Sequence, residues 1–391
     1  MNFDKEVIRW NTNATKYKNA EEIIPMCVAD MDFLSSEHLR NDLVLKLTKS
    51  IYGYSYISLD FYNSIIKWIK VEYNWNIKKE NILYSQSVLS SITSAIQSLT
   101  DINDDILLLT PEYHAFFYLI TRNNRNVIEC PLKEYERNYS IDFSILESLL
   151  TKKTKVLLFS SPHNPIGKVW TYEELKELGN FCLKNNLIIL SDEIHADLTF
   201  QRLKHIPIAS ISDDISNITL TFNSPSKSFN LVGLTLSYIV GTNKEYLSKI
   251  EKQLTINLYN KVNVLNEFNL INAYKQINWL NELKKYLNDN ILISNNFFLH
   301  KKSKIKFNIP DATYLIWLDF REFNLSNDEI EKRLLENAKV RLLNGNDFCN
   351  MGEGFFRMNI ALPRKKLKRA LEQINNEFNK INHPIKNSLN E

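Results

Sequence analysis

From about residue 80 to residue 240 the chain alternates short apolar runs of strand type with longer segments of helical period. That alternation is the pattern of a mostly parallel sheet covered on both faces. Strands are predicted at Asp105–Thr110, Asn126–Cys130, Lys155–Ser160, Leu187–Ser191, Ile218–Phe222 and Leu236–Val240. Helices are predicted at Ser87–Leu99, His114–Arg122, Asp142–Leu150 and Thr171–Lys184, the last opened by a Thr171…Glu174 capping box. Beyond this core, Lys244–Leu287 reads as long helices. Tyr314–Phe320 reads as a strand, followed by helices near Asn327–Ala338 and Arg364–Asn379. The expected class is α/β, with a smaller α+β unit toward the C-terminus.

At 391 residues and 44% hydrophobic composition the chain is long enough for two or three structural units. Its 48 Lys+Arg against 45 Asp+Glu are too balanced to imply a nucleic-acid or membrane partner. The basic run Arg364–Arg369 opens a helix-like segment and reads as a solvated face. Cys27, Cys130, Cys182 and Cys349 are scattered, with no CxxC spacing, which suits a reducing cytoplasm. No signal pattern, spanning run or metal-type histidine spacing is read, so no membrane and no metal is expected.

In a sheet of this kind ligands bind at the carboxyl ends of the strands. Three unusual segments fall there: Ser161-Pro162-His163-Asn164-Pro165, Asp192-Glu193-Ile194-His195 and Ser224-Pro225-Ser226-Lys227-Ser228. Alone, each has a bland reading as solvated loop or helix N-terminus. Asn164 precedes Asp192 by 28 residues and Asp192 precedes Lys227 by 35, each beyond a strand, and together they match pyridoxal-5′-phosphate (PLP) chemistry. A lysine carries that cofactor as a Schiff base and later removes the substrate Cα proton, which assigns Lys227. A carboxylate must hold the proton on the pyridine nitrogen, which assigns Asp192. A neutral donor serves the phenolate oxygen; Asn164 and His195, the latter one helical turn past Asp192, fit.

At these residues the sequence resembles fold-type I PLP enzymes, and within them the cystathionine β-lyase (C–S lyase) branch of the class I/II aminotransferase family. The resemblance runs over nearly the whole chain, through Pro25–Phe33, Tyr52-Gly53-Tyr54, Pro111-Glu112-Tyr113, Ser160–Pro165, Ser226–Asn230 and Phe356-Arg357-Met358-Asn359. It implies a large domain with a mostly parallel seven-stranded sheet at 45–286 and a smaller α+β domain at 287–391, joined by the N-terminal segment 1–44. It further implies that Tyr113 stacks on the pyridine ring, that Arg357 clamps the substrate carboxylate, and that Ala29 and Asn164 also bind the substrate. Ser87, Val88 and Leu89 would hold the phosphate at a helix N-terminus, assisted by Ser224 and by Tyr54, or else Tyr52, of a second subunit, making the protein a homodimer. Three positions depart from the family pattern: Ser87 stands where glycine is usual, Cys27 where tryptophan is usual, and Thr235 where many relatives carry a phosphate-binding arginine.

The implied activity is α,β-elimination on L-cysteine S-conjugates such as cystathionine, giving thiol, pyruvate and ammonia. An aminotransferase would use the same lysine, aspartate and arginine. A third possibility, a protein that acts mainly by binding a partner, is disfavoured by the intact Asn164/Asp192/Lys227/Arg357 set. The expected partner is a small-molecule amino-acid substrate. Direct DNA binding is not expected, because no helix-turn-helix extension is read before the core.

Overall fold

The computed structural model describes residues 1–200, 203–348, 350 and 352–382; Cys349 lies outside the described residues. Two compact units are present. One comprises Leu34–Lys284 with Asp311–Thr313, and the other Met1–Phe33, Lys285–Pro310 and the described residues from Tyr314 onward.

The larger unit is built on seven strands: β1 (Ile82–Ser85), β2 (Asp105–Thr110), β3 (Asn126–Pro131), β4 (Thr154–Ser160), β5 (Ile188–Asp192), β6 (Thr219–Asn223) and β7 (Ser237–Gly241). Their order across the sheet is β1-β7-β6-β5-β4-β2-β3. Only β7 is antiparallel to its neighbours. Successive strand residues point to opposite faces, yet Ile106 to Leu109 and Val156 to Phe159 are all fully buried. Both faces are therefore covered, as parallel pairing through crossover helices requires. On one face Ile106, Leu108, Val156, Leu158 and Leu220 pack with Ile92 and Ile96 of the Val88–Leu99 helix. That helix forms because its apolar residues at 88, 92, 95, 96 and 99 share one stripe, and the Ser87 side chain caps its first turn by accepting the Ser90 N–H.

Six of the seven strands lie where the alternation places them. The strand missed is β1, four residues with no apolar alternation long enough to register. The long helical stretch after residue 244 resolves into helices Lys244–Ile256, Val264–Ala273 and Ile277–His300. It breaks where Asn263 caps a new helix through the Leu265 N–H. Thr171 and Glu174 form the expected reciprocal cap of Tyr172–Lys184.

In the smaller unit, β8 (Leu315–Asp319), β9 (Leu343–Asn344) and β10 (Phe355–Asn359) form an antiparallel sheet in the order β8-β10-β9. The sequence reading named the β10 residues only as a motif, not as a strand. Ile24–Pro25 pairs in parallel with Val340–Arg341, which draws the N-terminal segment into this unit. Among the described residues no helix is long and apolar enough to cross a membrane.

Leu158 sits at the centre of the sheet with no exposed surface. Leu158→Ala is expected to cost about 2–5 kcal/mol, read from the urea midpoint, because a central strand cannot collapse into the space. A loss below about 1 kcal/mol would contradict this packing.

Candidate active site

Strands β2, β4, β5 and β6 run in parallel, so Thr110, Ser160, Asp192 and Asn223 end at one edge of the sheet. Two antiparallel pairings, β6 to β7 and β7 to β1, return the end of β1 to the same edge, and with it the start of the Val88–Leu99 helix. Ser160 lies level with Asp192, and Asp192 with Phe222. The topology thus brings Asn164, Asp192 and Lys227 to one edge, as the spacing implied, and with them Ser87 and Tyr113, which only the resemblance had named.

Asp192 is almost wholly buried, and its carboxylate accepts the Ile194 N–H at 3.1 Å. Burial pushes its pKa up to about 7; the Ile194 bond and the Lys227 charge pull down, while Glu112 and Glu193 push further up. An ionised Asp192 therefore calls for a cation. The residues after it make successive turns, with Ala196 N–H donating to Glu193 O at 3.0 Å, rather than the helical turn expected before His195. The Asp192 side chain takes the Ile194 N–H as a helix cap does, but the bonds that follow span three residues, Ala196 N–H to Glu193 O and Leu198 N–H to His195 O, and no α-helix is propagated. His195 is nonetheless buried.

Lys227 sits on a turn closed by Phe229 N–H to Pro225 O at 2.9 Å and Leu231 N–H to Ser226 O at 2.8 Å. Its two successors anchor that turn. Ser228 Oγ donates to Asp197 at 2.6 Å, and Asp197 also accepts the Trp68 indole N–H at 3.0 Å and the Tyr73 hydroxyl. Phe229, fully buried, meets Trp68 edge-on at 5.9 Å and stacks with Trp279 at 6.2 Å. Ser224 donates to Leu236 O at 2.6 Å and accepts the Ser226 N–H, so its hydroxyl braces the turn and must swing away from Leu236 to reach a phosphate.

Tyr113, half-buried, is fixed through its neighbour Glu112, which accepts the Tyr113 N–H at 2.8 Å and the Ser160 N–H and hydroxyl at 2.9 and 2.5 Å. Burial raises Glu112 to about 8 despite these donors. Asn164 is buried, and its N–H donates to Ser160 Oγ at 3.0 Å. His163 has no exposed surface, bonds Pro111 O through Nε2 at 2.8 Å, and is pushed down to about 4 by burial. It is a neutral donor that holds the Tyr113 loop. The sequence reading gave no role to Glu112 or Asp197. A carboxylate at the end of an otherwise apolar strand or turn was the signal available for both.

At the Val88–Leu99 N-terminus, Ser87 takes the Ser90 N–H at 3.1 Å. The Val88 and Leu89 amides precede any intrahelical partner, and the helix dipole adds to their pull on an anion. The Thr235 side chain is exposed, and its carbonyl accepts the Asn266 amide. Tyr52 gives its hydroxyl to Leu47 O, whereas Tyr54 is fully exposed. In the smaller unit Arg357 is 2% exposed, donates to Cys27 O at 3.0 Å and lies over the Phe348 ring at 5.0 Å. Ala29 O accepts the Tyr314 hydroxyl at 3.0 Å. Among the described residues no group of His, Cys, Asp and Glu is placed to hold a metal ion.

Residues 5–374 match the family described as aminotransferase class I and II. The chain belongs to that family. Within the class I and II family it is 34% identical to cystathionine beta-lyase PatB of Bacillus subtilis over 96% of this chain and 99% of that one. It is 30% identical to protein MalY of Escherichia coli over 95% and 96% of the two chains. The solved PLP-bound C–S lyase from Staphylococcus hominis superposes with a TM-score of 0.90, at 31% identity over 97% of this chain and 98% of that one.

The edge fits PLP on its own chemistry. Asp192, held nearly neutral by burial, becomes a stable carboxylate once a protonated pyridine nitrogen faces it. The Val88 and Leu89 amides suit a phosphate, and Lys227 supplies the amine.

In the cofactor-free protein Asp192 and Glu112 keep their protons up to about pH 7 and about pH 8. The unfolded chain loses both near pH 4, about their ordinary values. The stability they contribute is full at acid pH and is lost as pH rises through the folded values. The thermal midpoint of the cofactor-free protein should therefore fall between about pH 5 and pH 8, and Asp192→Asn should flatten that slope by a few degrees. Identical slopes in the two proteins would refute the buried-carboxylate account.

Proposed function

We propose that this protein is a PLP-dependent C–S β-lyase that performs α,β-elimination on L-cysteine S-conjugates such as cystathionine. The conjugate and water yield a thiol, pyruvate and ammonia. The observation that carries the PLP reading is the buried Asp192, level with the end of β4 and within the electrostatic reach of Lys227. The choice of lyase over aminotransferase follows from the likeness to PatB and to the Staphylococcus hominis enzyme.

When bound, PLP supplies the electron sink that stabilises negative charge at the substrate Cα. Lys227 would carry the cofactor through its ε-amine and, with that amine free, would be the base that takes the substrate Cα proton. Asp192 keeps the pyridine nitrogen protonated. Tyr113 would stack on the cofactor ring, while Asn164 and His195 would act as neutral donors to its phenolate oxygen. Ser87, Val88, Leu89 and Ser224 cradle the phosphate. Arg357 and the Ala29 amide hold the substrate carboxylate, the former through the planar fork that suits two oxygens at once. The proton collected by Lys227 is then at hand for the departing thiolate.

The working form is a homodimer in the cytoplasm. Val44, Leu45, Ile51, Tyr54, Tyr56 and Leu59 are all more than half exposed within one short stretch, an apolar surface that a second copy would cover. The free thiols of Cys27, Cys130 and Cys182 suit a reducing compartment.

Mixing the purified protein with L-cystathionine should release pyruvate and free thiol without an added keto acid. Turnover that requires a keto acid would identify an aminotransferase instead. Borohydride should fix the cofactor on a single lysine, and a label anywhere but Lys227 would end the assignment.

If Tyr54 of one subunit bonds the phosphate held by the other, Tyr54→Phe should leave the fold intact. PLP affinity should fall about 10- to 100-fold, as expected for a hydrogen bond to a charged acceptor. Unchanged PLP affinity, or an active monomer in sedimentation, would remove this role.

A further inference from the structure

We infer that Asn359 is a positioning residue for the substrate carboxylate: its side-chain amide aims the Ala29 N–H and ties that peptide to the strand that carries Arg357. The inference rests on the reading that Arg357 and Ala29 receive the carboxylate, and adds to it the device that sets one donor against the other.

Arg357 and Asn359 are two residues apart on β10 and so share one face of the strand. Between them they capture carbonyls of the N-terminal segment. Met26 O accepts the Asn359 backbone N–H at 2.8 Å, and Cys27 O accepts Arg357 Nη2 at 3.0 Å. Asn359 Nδ2 then donates both its hydrogens, to Val28 O at 2.6 Å and to Asp30 O at 2.7 Å. Ala29 O, between them, takes the Tyr314 hydroxyl at 3.0 Å. Asp30 N–H closes a three-residue turn onto Val28 O at 3.0 Å, with Ala29 at its apex.

The Asn359 amide has no freedom to flip. Its Oδ1 accepts the Ala361 N–H at 2.8 Å while Nδ2 faces two acceptors, so the reversed amide would set oxygen against two oxygens. The residue has no exposed surface, so water cannot replace these partners. In a trans peptide the C=O and the following N–H point in opposite directions. Because Val28 O is drawn onto Asn359, the Ala29 N–H is directed away from β10. One side chain thus sets the direction of the Ala29 donor relative to the strand that bears the guanidinium. An aspartate at 359 lacks both hydrogens, and an alanine reaches neither carbonyl.

The test uses the PLP-loaded protein and the elimination assay. Asn359→Ala should raise KM for cystathionine about 10- to 100-fold with kcat held within about threefold, the split expected when ground-state and transition-state binding are lost together. Inhibition by propionate, a carboxylate without an amine, should weaken by a similar factor. PLP content should be unchanged, as should the rate at which methoxyamine, which needs no carboxylate donor, displaces Lys227. A residue that merely supported the fold would shift the methoxyamine rate and PLP content along with KM, and that result would overturn the proposal.

Should Asn359→Ala fail to fold, Tyr314→Phe removes one hydroxyl from the same turn and should raise KM about 3- to 10-fold in the same selective way. Arg357→Lys separates the two layers of the argument. A raised KM there with none in the Asn359 and Tyr314 variants would overturn the positioning role alone, whereas an unchanged KM in Arg357→Lys would overturn the carboxylate reading beneath it.

Discussion

The level pairing of Ser160, Asp192 and Phe222 across three parallel strands is the constraint on which the site hangs. Side chains alternate along a strand, so a slip of one residue in β5 would turn Asp192 to the opposite face of the sheet and bring Ser191 or Glu193 into its place. The ladder is extended just beyond the strands, by Ser161 N–H to Asp192 O at 2.9 Å and Glu193 N–H to Phe222 O at 2.8 Å. The loops bearing Asn164 and Lys227 leave from strands held at a fixed height on either side of Asp192.

That edge gathers four buried carboxyl groups, and the sheet treats each differently. Glu112 is satisfied by three donors around Ser160 and Tyr113. Glu193 accepts Ser191 Oγ at 3.0 Å and His205 Nε2 at 2.7 Å. Asp197 is surrounded by Trp68, Tyr73 and Ser228. Asp192 draws on a backbone N–H, so its charge has to be met by a cation. A carboxylate left in that condition at the mouth of a parallel sheet is the mark of a ligand site rather than of a structural ion pair.

Much of this was legible in the chain. The strand ends and the residues just past them carry local signals, since each apolar run stops where a loop of unusual composition begins, and Asn164, Asp192 and Lys227 are found on those loops. What could not be read was anything made by residues far apart in sequence. Asn359 meets Val28 across 331 positions, and Asp197 meets Trp68 across 129. Neither partner alters the local pattern around the other. The same limit explains β1, whose four residues are a strand because β7 lies beside them.

The smaller unit is assembled from both ends of the chain, and that dictates an order of events during synthesis. The segment up to Phe33 emerges before the larger unit, yet the donors that receive its carbonyls, Tyr314, Arg357 and Asn359, are made only after it. Leu34–Lys284 holds nearly all of the strands and helices of its own unit and can condense while the remainder is still on the ribosome. The carbonyls of the N-terminal segment must therefore wait for these donors until the whole of the larger unit has been made. The turn with Ala29 at its apex is thus held in place by donors that a chain ending before Tyr314 would lack.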